Sequence, residues 1–230
     1  MKIYTTKITD NIDQGNFNKL IDFMSDNKKK RVNRFYHFSD SLRMVFSDLL
    51  IRMIIIKKFS IDNEDIEFLL NDYGKPHLKG FDDFHFNISH SGEWIACAID
   101  EKEVGIDIEK INHIELDIAK RFFTKNEYID LINKPEQNRI DYFYDLWTLK
   151  ESYIKARGMG LSIPLNSFSF KKINEKILFQ SKEDMNKYFF RQYDVDCNYK
   201  LSVCSYNNNL PECIVNINMD EVIKFFLHIK

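Results

Sequence analysis

Two short clusters in the chain pair acidic with basic side chains at spacings that suit phosphate chemistry. The first is Gly105-Ile106-Asp107-Ile108-Glu109-Lys110, and the second runs from Leu146 to Ala156 as Leu-Trp-Thr-Leu-Lys-Glu-Ser-Tyr-Ile-Lys-Ala. From Val104 to Glu109 apolar and acidic residues alternate, which is the period of a half-buried strand. Asp107 and Glu109 therefore point the same way, roughly 7 Å apart along the strand. Carboxylates at that spacing can converge on one hard cation, and Mg²⁺ takes oxygen ligands. In the second cluster Phe143, Leu146, Leu149 and Tyr153 mark one side of a helix, and Glu151 and Lys155 are one turn apart on a shared face. Together the clusters read as a Mg²⁺ site beside a phosphate-handling lysine. Each fragment also has a plainer reading, as the solvated face of a strand and as a surface helix pair, so the flanking sequence has to decide.

The bulk properties narrow the classes. The chain has 230 residues, 44% hydrophobic and 14% aromatic, with a formal net charge of −2. That is a folded protein able to bury a sizeable core, without a basic field for nucleic acid or a membrane surface. Cys97, Cys197, Cys204 and Cys213 show neither Cys-x-x-Cys nor zinc-finger spacing, so reduced thiols and a cytoplasmic location are expected. The N-terminus lacks the apolar stretch of a signal peptide. Leu42–Ile56 is apolar but holds Arg43, Asp48 and Arg52 and is too short to span a bilayer, so it reads as a core helix.

The elements that must position the clusters follow from periodicity. After the Leu42–Ile56 helix come strand-like segments at 65–70, 84–88 and 94–99. Helical segments at 116–123 and 124–132 lead to a long helix over 141–157. Further strands are expected at 167–170, 176–179, 188–193 and 200–205. Thr124 and Glu127 fit a capping box, and Gly158 stands where a left-handed residue would end the long helix. Each half thus offers a long helix and several antiparallel strands. The expected fold is α+β, a pseudo-two-fold pair of subdomains over 1–104 and 105–230, with the active site at their interface.

Several segments have the chemistry to hold an anion. Lys28, Lys29, Lys30 and Arg31, followed by Arg34, concentrate positive charge, although a solvated helix start has the same composition. Tyr73-Gly74-Lys75-Pro76 reads as a turn presenting Lys75. Ser89-His90-Ser91-Gly92 reads as a donor-rich turn closing a strand. No P-loop, dinucleotide fingerprint, nucleophile elbow or zinc-protease helix is present.

In order along the chain, Gly74-Lys75-Pro76, Phe86-Asn87-Ile88-Ser89-His90-Ser91, Gly105-Ile106-Asp107-Ile108-Glu109, Arg121-Phe122-Phe123 and Trp147-x-x-Lys150-Glu151-Ser152-x-x-Lys155 resemble the Sfp-type 4′-phosphopantetheinyl transferases. The resemblance implies Mg²⁺-dependent transfer of phosphopantetheine from coenzyme A to a serine of an apo peptidyl or acyl carrier protein, as in nonribosomal peptide and antibiotic synthesis. Adenosine 3′,5′-bisphosphate is released. It assigns Asp107, Glu109 and Glu151 to the metal, Glu151 to the serine proton, and Lys155 to the pyrophosphate. It places Lys28, Arg31 and His90 near the coenzyme A 3′-phosphate, and Lys75, Pro76 and Ser89 near the adenine and ribose. Met44 stands where related enzymes can carry a hydroxyl, a departure that removes one contact. Carrier docking is expected along 111–124 and beyond Gly158. Since both halves lie in one chain, a monomer with an intramolecular site is expected. A Mg²⁺-dependent phosphodiesterase or pyrophosphatase, and a silent coenzyme A or carrier-binding module, are the alternatives that the residues alone leave open.

Overall fold

The computed structural model describes residues 1–173, 176–183 and 187–228. The first half contains β1 (Lys2–Lys7), α1 (Gln14–Ile21), α2 (Asp26–Val32), α3 (Phe38–Phe59), β2 (Phe68–Leu70), β3 (Pro76–Leu78), β4 (His85–Ser91) and β5 (Trp94–Asp100). The second contains β6 (Val104–Lys110), α4 (Ile118–Phe122), α5 (Lys125–Ile132), α6 (Glu136–Arg157), β7 (Phe168–Ile173), β8 (Lys176–Ser181), β9 (Phe189–Tyr193), β10 (Tyr199–Ser205), β11 (Val215–Asn216) and α7 (Met219–Leu227). No helix among the described residues is long and apolar enough to cross a membrane.

Two sheets stack between two long helices. The first sheet has strand order β11-β1-β5-β4 and the second β6-β10-β9. Alternation along β5 explains the layering. Ile95, Cys97 and Ile99 face α3 in one core, while Trp94, Ala96 and Ala98 join Ile106, Ile108, Leu201 and Val203 in a core between the sheets. The other faces of β6 and β10 receive α6 and its aromatic core. The layers are therefore helix, sheet, sheet, helix, which is the α+β pairing that the periodicity predicts.

Three details depart from the sequence-based expectations. Ser89, His90 and Ser91 lie within β4 rather than in a turn, because they pair with Ala96, Ile95 and Trp94 and the chain reverses only at Gly92. The sheets are not purely antiparallel, since Val215 and Asn216 add to β1 in parallel. The chain after that strand also leaves the 105–230 unit. Ile217, Met219, Val222 and Phe226 are buried with Phe17, Leu20 and Leu50 in the first core, because α7 is amphipathic and the α1–α3 face is the apolar surface within its reach.

The local signals hold. Thr124 and Glu127 form the capping box, and Gly158 ends α6 at φ 63°. Glu127 is also the centre of a buried cluster. It accepts from Thr124 N at 2.8 Å, from Phe170 N at 2.8 Å, and from Lys150 Nζ at 2.9 Å. Lys150 is 0% exposed and gives its other protons to Leu165 O and Phe168 O, both at 2.8 Å. This cluster joins α5, α6 and the start of β7. Lys150→Met leaves a buried carboxylate without its counter-charge and should lower unfolding free energy by about 3–5 kcal/mol. Urea denaturation followed by circular dichroism measures the loss, and a midpoint equal to wild type would contradict it.

Candidate functional site

The site lies along the seam where β4 runs beside β6. The two strands are linked there by side chains rather than by a main-chain ladder. Asn87 Oδ1 accepts from Ile106 N at 2.9 Å, and Ser91 Oγ accepts from Lys110 N at 3.0 Å. Between them Ser89 Oγ donates to Asp107 Oδ1 at 3.0 Å, and Ser91 Oγ donates to Glu109 Oε2 at 2.8 Å. The alternation that puts Phe86 in the first core thus turns residues 87, 89 and 91 onto the acidic face of β6.

Helix α6 crosses that face in direct contact with the β6 backbone. A Cβ at Gly105 would meet Ser152 O at 2.0 Å and Ala156 N at 2.3 Å. The approach brings Lys155 Nζ to 2.6 Å from Asp107 Oδ1 and 2.9 Å from Ser89 Oγ. Behind the helix, Thr148 Oγ1 and Ser202 Oγ stand 2.7 Å apart, and Gln192 Nε2 donates to Ser202 Oγ at 3.1 Å. Ser202 is the β10 partner of Asp107, so this buried polar contact fixes the helix opposite the same position on β6.

A cavity of about 480 Å³ opens over the seam. Ser89, His90, Asp107, Glu109, Glu151 and Lys155 form its polar wall, facing Phe122, Trp147, Leu161 and Leu165. All three carboxyls are raised above their ordinary range. Burial is the leading cause for each, and it is opposed at Asp107 by Lys155. Burial and then the charge of Asp107 push Glu109 up to about 7. Glu151 makes no side-chain hydrogen bond or ion pair among the described residues, so its carboxylate is available to a ligand. His90 sits at the mouth, its pKa lowered first by desolvation and then by Arg43 and Lys155.

Whether these residues suit a cation is answered by Asp107. The residue is 2% exposed, yet its Oδ2 is buried with no hydrogen-bond partner among the described residues. A bare carboxylate oxygen at that depth costs free energy unless something positive reaches it. Three carboxylates around one polar wall are the donor set of a hard divalent ion. As they stand, no three His, Cys, Asp or Glu side chains among the described residues are gathered into a ligand shell. The Lys155 ammonium provides the positive charge on the other Asp107 oxygen.

The remaining anion-holding candidates lie outside this cavity's lining. Lys28 is paired with Asp48, which also accepts from Arg52 Nε at 2.9 Å. Arg31 is exposed on the same helix and makes no side-chain ion pair among the described residues. Lys75 and Pro76 border a separate hollow of about 180 Å³ with Asn71, His85 and Glu103. Lys75 Nζ donates to Val104 O at 3.0 Å and Ala156 O at 2.9 Å, and burial pushes it down to about 8. Met44 is half-buried against the first core. Sequence reading did not single out Asn87, Ser91 as the Glu109 partner, or Asn71, whose Nδ2 donates to Gly158 O at 2.8 Å. The alternation of Asn87, Ser89 and Ser91 was the available signal for the first two.

Residues 103–204 match the 4′-phosphopantetheinyl transferase superfamily, and residues 12–102 match a model described as 4′-phosphopantetheinyl transferase, N-terminal. The chain is 40% identical over 224 residues to the 4′-phosphopantetheinyl transferase Sfp of Bacillus subtilis (strain 168), covering 97% of this chain and 100% of that one. It is 38% identical over 222 residues to the 4′-phosphopantetheinyl transferase gsp of Aneurinibacillus migulanus, covering 96% and 93%. A holo-(acyl-carrier-protein) synthase of Bacillus anthracis, solved in complex with CoA (3′,5′-ADP), aligns with a TM-score of 0.38 and 19% identity over 44% of this chain and 92% of that one.

Two outcomes test the site. Gly105→Ala forces α6 off β6 and should destabilise the protein by about 1–3 kcal/mol, read from the urea midpoint; an unshifted midpoint contradicts the contact. The metal-free protein should also lose stability as pH rises from about 4.5 to about 7. Over that range the folded state holds a proton on Glu109 that the unfolded chain releases. Glu109→Gln should make that slope shallower, and an unchanged slope contradicts the assignment.

Proposed function

The chain belongs to the 4′-phosphopantetheinyl transferase superfamily, and we propose that the cavity between β4, β6 and α6 is where it performs this transfer with Mg²⁺ bound at Asp107. It is an enzyme that transfers the 4′-phosphopantetheine group of coenzyme A to carrier proteins. The bare buried Oδ2 of Asp107 is the observation that carries the metal reading.

The reaction forms a bond between a carrier serine Oγ and the coenzyme A β-phosphorus and breaks the bond to the bridging pyrophosphate oxygen. The serine hydroxyl must lose its proton, and adenosine 3′,5′-bisphosphate leaves. Glu151 takes the proton, since it faces the cavity without an internal partner and its raised pKa makes it a better base than a solvated carboxylate. Lys155 offsets negative charge on the departing phosphate, from an anchorage on Asp107 and Ser89. Glu109 is oriented by Ser91, and Asp107, Glu109 and Glu151 together would hold the cation. When bound, Mg²⁺ supplies Lewis-acid stabilisation of charge on the pyrophosphate oxygens.

Coenzyme A binding extends from this cavity to His90 and the exposed Arg31 for the 3′-phosphate, with Lys28 adding charge from its pair with Asp48. The adenine and ribose lie against the Lys75-Pro76 turn. Lys75 contributes through its backbone, because its ammonium is held by Val104 O and Ala156 O. Ser89 acts through Asp107 and Lys155 rather than as a direct ligand. The apolar wall of Phe122, Trp147 and Leu161, with Leu161 78% exposed, supports docking of peptidyl or acyl carrier domains beside the 111–124 segment. The two subdomains expected over 1–104 and 105–230 meet at this site, with the last strand and helix returning to the first. A monomer acting in the cytoplasm completes the reading.

Incubation with coenzyme A, Mg²⁺ and an apo-carrier domain should raise the carrier's intact mass by about 340 Da. Chelation of the metal should abolish the gain and added Mg²⁺ restore it. Glu151→Gln should lower kcat by about 10²–10⁴ while coenzyme A still binds. Unchanged masses across a panel of carriers would refute the reading, and nucleotide release without any carrier would point to a hydrolase.

A further inference from the structure

Asn71 organises the turn that precedes β3 and at the same time grips the end of the catalytic helix. Its Oδ1 accepts from Tyr73 N at 3.0 Å and Lys75 N at 2.8 Å. Its own N–H donates to Lys75 O at 3.0 Å, and its C=O accepts from Gly74 N at 2.9 Å. Four hydrogen bonds to one residue thus set the shape of the turn, with Gly74 at φ 88°. That leaves the Nδ2 amide, which reaches across to Gly158 O at 2.8 Å. Lys75, at the other end of the turn, donates to Ala156 O and Val104 O.

These acceptors have a particular standing. The last carbonyls of a helix have no partner within it and carry its negative dipole end. At the end of α6 the Lys75 ammonium caps one of these, Ala156 O, and the Asn71 amide holds Gly158 O just beyond the helix, both from the opposite half of the molecule. Gly158 makes the approach possible. A Cβ there would meet Lys75 Cδ at 2.7 Å and Asn71 Nδ2 at 3.2 Å, and the residue's φ of 63° favours glycine independently. Ala156 directly follows Lys155, so the gripped end of the helix adjoins its catalytic residues.

We propose that Asn71 is a positioning residue for the transfer reaction, latching the turn that receives the adenosine part of coenzyme A to the helix that carries Glu151 and Lys155. The inference rests on the function assigned above and adds a residue to it. With the latch closed, the nucleotide end of the ligand and the groups that act on its pyrophosphate are held in one frame. A shift of an ångström between them is enough to misplace the reacting atoms.

Asn71→Asp tests this with almost no change in shape. It keeps the oxygen that organises the turn and replaces the amide donor with a second oxygen facing Gly158 O. Asn71→Ala removes both functions. In steady-state assays with a carrier domain, Asn71→Asp should raise KM for coenzyme A at least threefold and lower kcat. KM for the carrier should stay at the wild-type value, and Asn71→Ala should show the larger coenzyme A effect. A residue that only stabilised the fold would reduce the amount of active enzyme without moving KM. Calorimetric titration of the full chain with coenzyme A and Mg²⁺ reads the same coupling without a carrier, and there Asn71→Asp should bind at least threefold more weakly. Wild-type coenzyme A affinity and KM in both variants would overturn the latch while leaving the transferase assignment standing. A wild-type chain that binds coenzyme A but modifies no carrier would overturn the assignment, with the calorimetric comparison still deciding the latch. A wild-type chain that does neither would overturn both.

Discussion

The geometry of this molecule follows from one close approach, that of α6 onto the backbone of β6 at Gly105. No side chain fits between them, since a Cβ there would lie 2.0 Å from Ser152 O. The helix therefore sits lower on the sheet than ordinary helix–sheet packing allows. At that depth an ammonium on one turn of α6 can reach a carboxylate on the neighbouring position of β6. The Lys155–Asp107 pair, the open Glu151 and the apolar wall from Trp147 all derive their placement from it. The Thr148–Ser202 contact and the Glu127–Lys150 cluster hold the helix in the same seat from behind and from the side.

The approach matters because of what it leaves unsatisfied. Burial raises the pKa of Asp107, Glu109 and Glu151 together, a cost that a folded protein tolerates where charge is needed for chemistry. Lys155 relieves one oxygen of Asp107, and Ser89 and Ser91 give hydrogen bonds to the acidic face. The other Asp107 oxygen stays bare. The seam between the two sheets supplies these serines, so the first half of the chain orients the two carboxylates that β6 carries. The same halves are joined again at the far end of α6 by Asn71 and Lys75.

Much of the site is legible in the sequence because its rules are local. Alternation places Asp107 and Glu109 on one face, one helical turn relates Glu151 to Lys155, and a capping box and a glycine bound the helices. What local rules do not carry is the destination of a long side chain. Lys28 and Lys75 carry the charge expected of phosphate ligands, yet Asp48 claims one, and two main-chain carbonyls claim the other. Ser89 to Ser91 have turn composition, but pairing with β5 draws them into a strand. The return of the final strand and helix to the first sheet rests on contacts some 200 residues apart, such as Thr5 O with Ile217 N at 2.8 Å. An amphipathic helix announces that it needs an apolar partner, not which one.

The proposed role of the seated helix is to leave Asp107 with a free oxygen for a cation beside the reacting phosphates. A crystal structure with coenzyme A and Mn²⁺, read by the anomalous signal of the metal, tests it most directly. A peak is expected about 2.0–2.3 Å from Asp107 Oδ2, with Glu109 or Glu151 completing the carboxylate ligands. Coenzyme A in the cavity with no metal at Asp107, and Lys155 still its only charged partner, would rule that role out.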